Sequence, residues 1–535
     1  MRRWNGWADE GDEVALPAGA ARLLESLIGP GRRGRDATLA EVVAAVRPSR
    51  LPPHPLASDD PVDRIRHARG QSLPDWIALR SGRLGAIPDA VARPSSAAEV
   101  REVLDWSASA GPSVVPYGGG TSVVGGVTPA DDGRPVVTVA LERLAGLREL
   151  DARSGLATFG AGTVGPDLEA ALRPHGLTLR HSPQSFERST VGGWVVTRSA
   201  GHQSIGVGRI EALFAGGRLE APAGTIDLPP HPASAAGPDL RQLVLGSEGR
   251  FGILTDVTVR ALPAPQAERV ASWFLPDWVH GLEAARALAQ AGLPLSMVRL
   301  STPPETATIL AIADRPRTIR ALEGYLRLRG VGEQRCLLIV AAAGRRRVAD
   351  TAMREVGGIA SHNGGVGVGA SIGRQWLRGR YRSAALRDRL WDSGYAVDTL
   401  ETAVDWTALP SLADAIGRAL RTGLEPEGER VHAFSHLSHV YGSGSSLYTT
   451  FVFRLADDPD ETLERWRRLK SAAGDSIVEH GGTISHQHGV GRDHVSWLEA
   501  EKGALGMSTL DAVRQHLDPG GLMNPGVLLP GEVAD

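Results

Sequence analysis

Cysteine is almost absent from this sequence: Cys336 stands alone among 535 residues. One thiol excludes an internal disulfide and any cysteine-based metal cluster. Lysine is nearly absent too. Only Lys470 and Lys502 occur, and arginine supplies the rest of the 58 basic residues, so no single arginine is by itself a strong pointer to a site. Aromatic residues make up 5% of the chain, and no apolar run reaches the length that spans a bilayer. No basic block stands out and the net charge is −3, which argues against a nucleic-acid partner. No strongly amphipathic basic helix is evident either. The first residues are polar and lack the apolar stretch of a signal peptide, and Gly531–Asp535 is not a Ser-Lys-Leu-type peroxisomal address, so a cytoplasmic location is expected. There is no internal repeat and no low-complexity tract.

Glycine, by contrast, is abundant and placed to a purpose. Pro116, Tyr117, Gly118, Gly119, Gly120, Thr121 and Ser122 follow an apolar run at Ser113–Val115 that reads as a short strand. Three successive glycines leave backbone N–H groups uncovered and accept positive φ, so several amides can converge on one anion, with Thr121 and Ser122 adding hydroxyl donors. The spacing is neither G-x-G-x-x-G nor G-x-x-x-x-G-K-[ST], which removes the nicotinamide and NTP fingerprints. A tight surface turn is the plain alternative.

Three later segments share this character. Gln184, Ser185, Phe186, Glu187, Arg188, Ser189 and Thr190 run into Val191–Trp194; Thr197, Arg198, Ser199 and Ala200 follow; and Glu248, Gly249, Arg250, Phe251, Gly252, Ile253 and Leu254 come after the apolar run Leu243–Leu245. Several such loops suit a large cofactor wrapped by many backbone donors; a mononucleotide on one helix end would need one.

In this order the four segments resemble the FAD-binding domain of the vanillyl-alcohol oxidase/PCMH superfamily. Within it the chain is most similar to the alkyldihydroxyacetonephosphate synthase family. Arg3–Trp7, Asp63–Arg64, Arg83–Ala92, Ser189–Trp194 and Gly237–Asp239 carry the likeness, which spans nearly the whole chain. The resemblance implies non-covalent FAD. No histidine flanks the first glycine loop, and Cys336 lies in an apolar run where an inert core thiol is expected.

The implied fold is α+β: a PCMH-type FAD-binding domain of two α/β subdomains, a cap domain with a mixed or antiparallel sheet covered by helices, and a helical N-terminal extension. Length alone suggests about three or four domain-sized units. Expected limits are 1–84 for the extension, 85–265 for the FAD domain, 266–480 for the cap, and 481–535 for a C-terminal segment returning to the flavin. Helices are expected at Thr38–Val46, Ala98–Ser109, Pro166–Leu172, Trp278–Ala291, Asp458–Ala473 and from Ser508, and strands at Pro135–Val139, Val257–Leu262, Cys336–Ala342 and Leu447–Phe453. Glu220–Pro238 reads as a loop or weak hairpin.

Two polar clusters in the second half could carry chemistry: Ser435–Thr449 and Gly481–Gly491. On an extended strand His486 and His488 would share a face and Gln487 the other; the plain alternative is satisfied polar residues under a loop. By resemblance Tyr448 takes the place of the family's catalytic tyrosine, a proton donor and acceptor. His486, Gln487 and His488 take the place of a triple-histidine motif that assists it. Gln487 departs from that motif and cannot exchange a proton. Arg387 aligns with a substrate-binding arginine and Arg299 with another that matters, both suited to a phosphate.

The implied reaction exchanges the acyl group of acyl-dihydroxyacetone phosphate for a fatty alcohol through a flavin N5 adduct, a step of ether-lipid synthesis. The alternative is an FAD-linked oxidase or dehydrogenase of a D-2-hydroxyacid. Those enzymes hold a divalent metal through two histidines and a glutamate. Here His439 could serve, but Tyr448 and Gln487 stand in the other two places, so no metal is expected. The substrate is a small molecule or lipid phosphate. Peripheral membrane contact and a homodimer stay open.

Overall fold

The computed structural model describes residues 2–11, 16–313 and 315–530. Three sheets organise the chain. The first contains Ala57–Ser58, Ala90–Ala92, Val136–Ala140 and Ser113–Tyr117 in that order. Its last three strands are parallel, as βαβ crossovers require, and helix Ala97–Ala110 supplies one crossover. Ser96 caps that helix by accepting from Glu99 N, and Gly111 ends it in the left-handed region. The second sheet runs Leu147–Asp151, Leu156–Gly160, Ile253–Arg260, Phe214–Ala221, Gly224–Leu228, with every neighbouring pair antiparallel.

Within the mixed helix-and-sheet architecture expected from the sequence, the second subdomain is built on an antiparallel sheet. A tight turn joins Phe214–Ala221 to Gly224–Leu228, and so short a connection can only reverse the chain. Of Glu220–Pro238, expected as a loop or weak hairpin, the turn and second strand of this pair occupy the first part, and residues 229–238 follow without regular structure. Strand Ile253–Arg260 begins four residues before the expected start, and Leu262–Pro263 breaks away to pair with Leu177–Thr178.

The cap sheet has seven strands in the order Val366–Gly369, Ala267–Leu275, Cys336–Gly344, Leu295–Ser301, His432–Leu437, Gly444–Arg454, Tyr395–Asp405. All recorded pairings are antiparallel. The continuous apolar run at Cys336–Ala342 has a period-2 explanation. Leu338, Val340 and Ala342 pack under helices Trp278–Gln290 and Arg346–His362, while Leu337, Ile339 and Ala341 pack under Pro303–Ile312, Pro316–Leu328 and Ser371–Gly379. Covered on both faces, the strand has no polar position.

Helix Pro316–Leu328 corrects one expectation. Ile319, Leu322 and Leu326 pack on the cap sheet, whereas Arg317, Arg320 and Arg327 are exposed, together with Tyr325 and Leu328. It is an amphipathic basic helix. Two other helices differ in extent: Pro459–Glu479 runs six residues past its expected end, and Val495–Leu517 begins well before Ser508, with Gly503 breaking it at φ +71°.

The N-terminal extension is tied to both domains. Arg50 pairs with buried Asp89 at 2.8 Å. Asp388, on helix Leu386–Asp392 of the cap, accepts from Trp7 N at 3.1 Å, Ala8 N at 2.9 Å and Arg80 at 2.9 Å. Both Asp388 and Arg80 are 3% exposed. Removing one partner of a buried charged cluster strands the others, so Asp388→Ala is expected to cost about 3 kcal/mol. Thermal melting of the two proteins measures this; an unchanged midpoint would mean that Asp36 and Asp392, which also contact Arg80, suffice.

Candidate active site

The glycine-rich loops converge. At Gly119 an added Cβ would overlap the Arg188 carbonyl oxygen, and at Gly118 it would meet the Thr190 hydroxyl. A Cβ at Gly249 would press on the Pro116 ring at 2.9 Å. Glu248 N donates to Val196 O at 2.9 Å, which docks the fourth loop on the end of helix Val191–Val196. The four segments thus form one surface of closely packed backbone.

Their side chains have mixed duties. Tyr117 is buried and its hydroxyl donates to Arg69 O at 3.1 Å. Thr121 is half-buried, and Ser122 Oγ accepts from Gly126 N at 2.9 Å. Gly120 sits at φ +61°. Ser189 accepts from Trp194 Nε1, Thr190 caps helix Val191–Val196, Thr197 donates to Gly193 O, and Ser199 bonds His181. Gln184, Ser185 and Phe186 are half-buried, with Phe186 stacked on Tyr381 at 5.3 Å.

Several expected cofactor residues are placed differently. Glu187 is exposed, Arg188 pairs with Asp9 at 3.2 Å, and Arg198 donates to Gln242. Phe251, Ile253 and Leu254 belong to hydrophobic clusters, Ala200 is buried, and Arg250 donates to Met523 O. Around Gly252, at φ +143°, an added Cβ would crowd Glu220 O, so the apolar side chains of this loop serve the core and only its backbone is left for a ligand. An FAD fits this surface because a bare-backbone cradle and buried Ser247 Oγ, without a hydrogen-bond partner among the described residues, are what a pyrophosphate uses.

Residues 518–529 close the cradle from behind. Met523 bridges in parallel to Val114, and Asn524 Nδ2 donates to Glu248 O at 2.8 Å and Gly126 O at 2.9 Å. The Glu248 carboxylate turns the other way and accepts from Val490 N at 2.6 Å and Gly491 N at 2.8 Å. Burial pushes it up to about 7 against the pull of those amides. Its folded value lies above the ordinary 4.5, so its stabilising contribution is full below about pH 4.5 and disappears as pH rises through 7. The loss amounts to about 3 kcal/mol. Glu248→Gln keeps a carbonyl acceptor that does not ionise. Melting temperatures from pH 5 to 8 should fall less steeply in the variant, leaving the share of Asp493, which burial also raises to about 7. Equal slopes would remove Glu248 from this role.

The cap supplies the second wall. Tyr448, in the middle of strand Gly444–Arg454, stacks on His436 at 4.9 Å and meets His488 edge-on at 5.6 Å. Its hydroxyl donates to Gln184 Oε1 at 3.4 Å, across the domain boundary. Burial pushes this phenol up to about 12. Arg299 reaches Glu305 at 2.8 Å, and Glu305 also holds His436 Nδ1 at 2.9 Å. Arg387 stacks over Trp76 at 5.5 Å, donates to Gln71 O and pairs with Asp398 at 3.1 Å. Asp398 is shared with Trp466 Nε1 at 2.7 Å and buried Lys470 at 3.7 Å. Both arginines are therefore pinned by a carboxylate. Arg299 Nε nevertheless has no hydrogen-bond partner among the described residues, and Arg387 with Lys470 outweighs Asp398 by one positive charge.

His486 and His488 do not lie on a strand. Residues 481–494 form a loop that Gly489 and Gly491 enter at φ +85° and +55°; a Cβ at Gly491 would overlap Val124 O. The two rings still meet at one place: Glu401, on the neighbouring strand Tyr395–Asp405. Its Oε1 is 3.2 Å from His486 Nδ1 and 3.9 Å from His439 Nε2, and its Oε2 is 3.7 Å from His488 Nε2. Burial opposes its ionisation, but these imidazoles outweigh burial and hold it well below the usual carboxylate range. Gln487 Oε1 is buried without a hydrogen-bond partner among the described residues. Tyr441, not Tyr448, bonds His486: its hydroxyl is 2.6 Å from Nε2.

Sequence reasoning missed Glu401, Glu305, Asp398 and Lys470. Glu401, His439 and His486 each offer a ligand atom, all within 4.8 Å of one another, a donor set that could hold a metal ion. The expectation of no metal counted Tyr448 and Gln487 and did not include Glu401. Cys336 is fully buried in the cap sheet, and burial pushes its thiol up.

Comparison with known proteins is consistent with this geometry. Residues 88–227 match the family described as FAD binding domain, and residues 264–528 match FAD linked oxidases, C-terminal domain. The chain is 29% identical to the alkyldihydroxyacetonephosphate synthase of Dictyostelium discoideum, over 99% of this chain and 93% of that one. It is 30% identical to the Caenorhabditis elegans protein of the same name, over 85% and 78%. A solved structure of an alkyldihydroxyacetonephosphate synthase superposes with a TM-score of 0.82 at 26% identity, covering 98% of both chains.

Proposed function

The chain belongs to the alkyldihydroxyacetonephosphate synthase family of FAD-binding enzymes, and on that premise we propose that it exchanges the acyl group of an acyl-dihydroxyacetone phosphate for a fatty alcohol. The observation that carries this reading is Tyr448, whose hydroxyl donates to Gln184 of the flavin domain at 3.4 Å from a cap that also carries Arg299 and Arg387, each held by a carboxylate. FAD, when bound, supplies the electrophilic centre for the exchange and ends in its starting oxidation state. Gly118 to Ser122 and Ser247 would hold its pyrophosphate. Arg387, with Lys470 behind it, would hold the substrate phosphate, and pinning by Asp398 keeps the guanidinium positioned before the substrate arrives. Arg299 would add its unused N–H. Tyr448 stays protonated at neutral pH and would donate to the departing carboxylate.

The test is a product assay. Flavin-loaded protein is incubated with acyl-dihydroxyacetone phosphate and isotope-labelled hexadecanol, and labelled alkyl ether is sought by mass spectrometry. Its absence from a flavin-replete protein would reject the reading. Oxidation of a D-2-hydroxyacid is the weaker alternative, since the relatives above carry the synthase name.

A lipid substrate also gives helix Pro316–Leu328 a use. No helix among the described residues is long and apolar enough to cross a membrane. Arg317, Arg320 and Arg327 beside exposed Tyr325 and Leu328 suit the surface of an anionic bilayer. The only acid on the helix, Glu323, is paired with Arg335. Changing the three arginines to glutamate should abolish co-sedimentation with phosphatidylglycerol vesicles while leaving the flavin spectrum intact. Unchanged sedimentation would remove this surface from the account.

A further inference from the structure

We propose that Arg2 is a positioning residue for the flavin: it grips the first glycine-rich loop by its carbonyls and so turns the amides of that loop toward the cofactor pyrophosphate. The proposal rests on the assignment of Gly118 to Ser122 to the cofactor surface and on no particular reaction.

The grip has two prongs. Arg2 Nη1 donates to Gly119 O at 3.1 Å and Nη2 to Gly120 O at 3.4 Å. In a trans peptide the C=O and N–H groups point in opposite directions. A guanidinium on these two carbonyls therefore faces the Gly120 and Thr121 N–H groups away from itself. Neither amide donates to another backbone group among the described residues. Gly120 is buried, and a peptide in that setting needs a partner for its N–H. An anion on the far side of the loop supplies one. The contact also carries charge. A cation on a carbonyl polarises its peptide, which strengthens the N–H at the other end as a donor.

Arg2 is itself held. Residues 2–9 form a tight loop closed by Arg3 N on Ala8 O at 2.9 Å, with an antiparallel bridge between Arg2 and Asp9. Arg2 Nε donates to Gly6 O at 3.2 Å, and Arg66 donates to Arg2 O at 2.9 Å. The Arg2 guanidinium lies over the Trp7 ring at 5.8 Å, and the same ring carries Arg188 at 5.7 Å. The Arg188 carbonyl oxygen is the atom that an added Cβ at Gly119 would overlap. One tryptophan and two guanidinium groups thus join the first loop to the second. Arg188 is balanced by Asp9 at 3.2 Å, whereas Arg2 gives its donors to carbonyls, so its charge is left to attract an anion through the loop. Asp388 fastens the same segment to the cap at Trp7 N and Ala8 N, one residue along the chain from Arg387. The guanidinium is in place before the cofactor arrives, and binding does not have to order it.

The test titrates FAD into the flavin-free full chain and follows the quenching of flavin fluorescence. Arg2→Met keeps an unbranched side chain over Trp7 and removes the donors. It should raise the FAD dissociation constant about 10- to 100-fold. Arg2→Lys keeps the charge as a single point donor and should recover part of the loss. The melting point of the flavin-free variant should match wild type, and only the rise produced by a fixed FAD concentration should shrink. An FAD dissociation constant within threefold of wild type, in a chain that loses flavin on Gly119→Ala, would overturn the proposal and leave the cradle intact. Retention of flavin by both variants would reject the cradle assignment, and the proposal with it. A flavin-free Arg2→Met protein whose melting point falls as far as that of the flavin-bound form would also overturn it, because Arg2 would then hold the fold and not the cofactor.

Discussion

Gly119→Ala should yield a protein that purifies nearly colourless. The added methyl group would overlap the carbonyl oxygen of Arg188, which belongs to backbone and cannot rotate away as a side chain would. Either the first loop or the second must move, and both belong to the surface proposed to hold the flavin. Overpacking of this kind costs about 1–3 kcal/mol. If that cost falls on the bound form, flavin affinity drops about 10- to 100-fold. The ratio of absorbance at 450 nm to that at 280 nm after desalting reads the effect directly. Gly146→Ala is the control: unlike Gly119, Gly146 has positive φ, and open space surrounds its would-be Cβ, so a loss there reports backbone strain, which Gly119→Ala does not incur. Equal flavin content in wild type and Gly119→Ala would mean that these loops do not form the cofactor surface.

Tyr448→Phe should keep its flavin and lose about 10²- to 10³-fold in kcat. The ring packs between His436 and His488, and phenylalanine preserves both contacts. Only the hydroxyl is lost, and with it the hydrogen bond to Gln184. Because burial raises the phenol to about 12, the group acts as a donor at neutral pH. The activity of wild type should therefore show no Tyr448 ionisation between pH 6 and 9. A variant that retained more than a third of wild-type kcat would shift the donor role to another group.

Much of this architecture is legible in local sequence. Glycine triplets, capping serines and the continuous apolar run of Cys336–Gly344 declare loops, helix starts and a doubly covered strand, because each depends on the residue and its immediate neighbours. The resemblance of the four loops to a flavin domain rests on the same local chemistry. Errors appear where a choice depends on partners far along the chain. In the second sheet, strand Ile253–Arg260 pairs antiparallel with Leu156–Gly160, far earlier in the chain, and the last helix begins early because its face meets Val527 and Leu529.

The site divides along the same line. The sequence by itself pointed to an FAD-binding chain through its glycine-rich loops and, by resemblance, to Tyr448, His486 and His488 as candidates for the chemistry. Only the tertiary structure decided that Glu401 stands opposite Tyr448 in register, that Asp398 and Glu305 pin the two arginines, and that His486 answers to Tyr441. A charged residue within Thr399–Thr402 carries no local sign of its partner. Strand register and the closure of a loop 85 residues downstream bring the groups together, and those follow from the packing of the whole cap rather than from any segment within it.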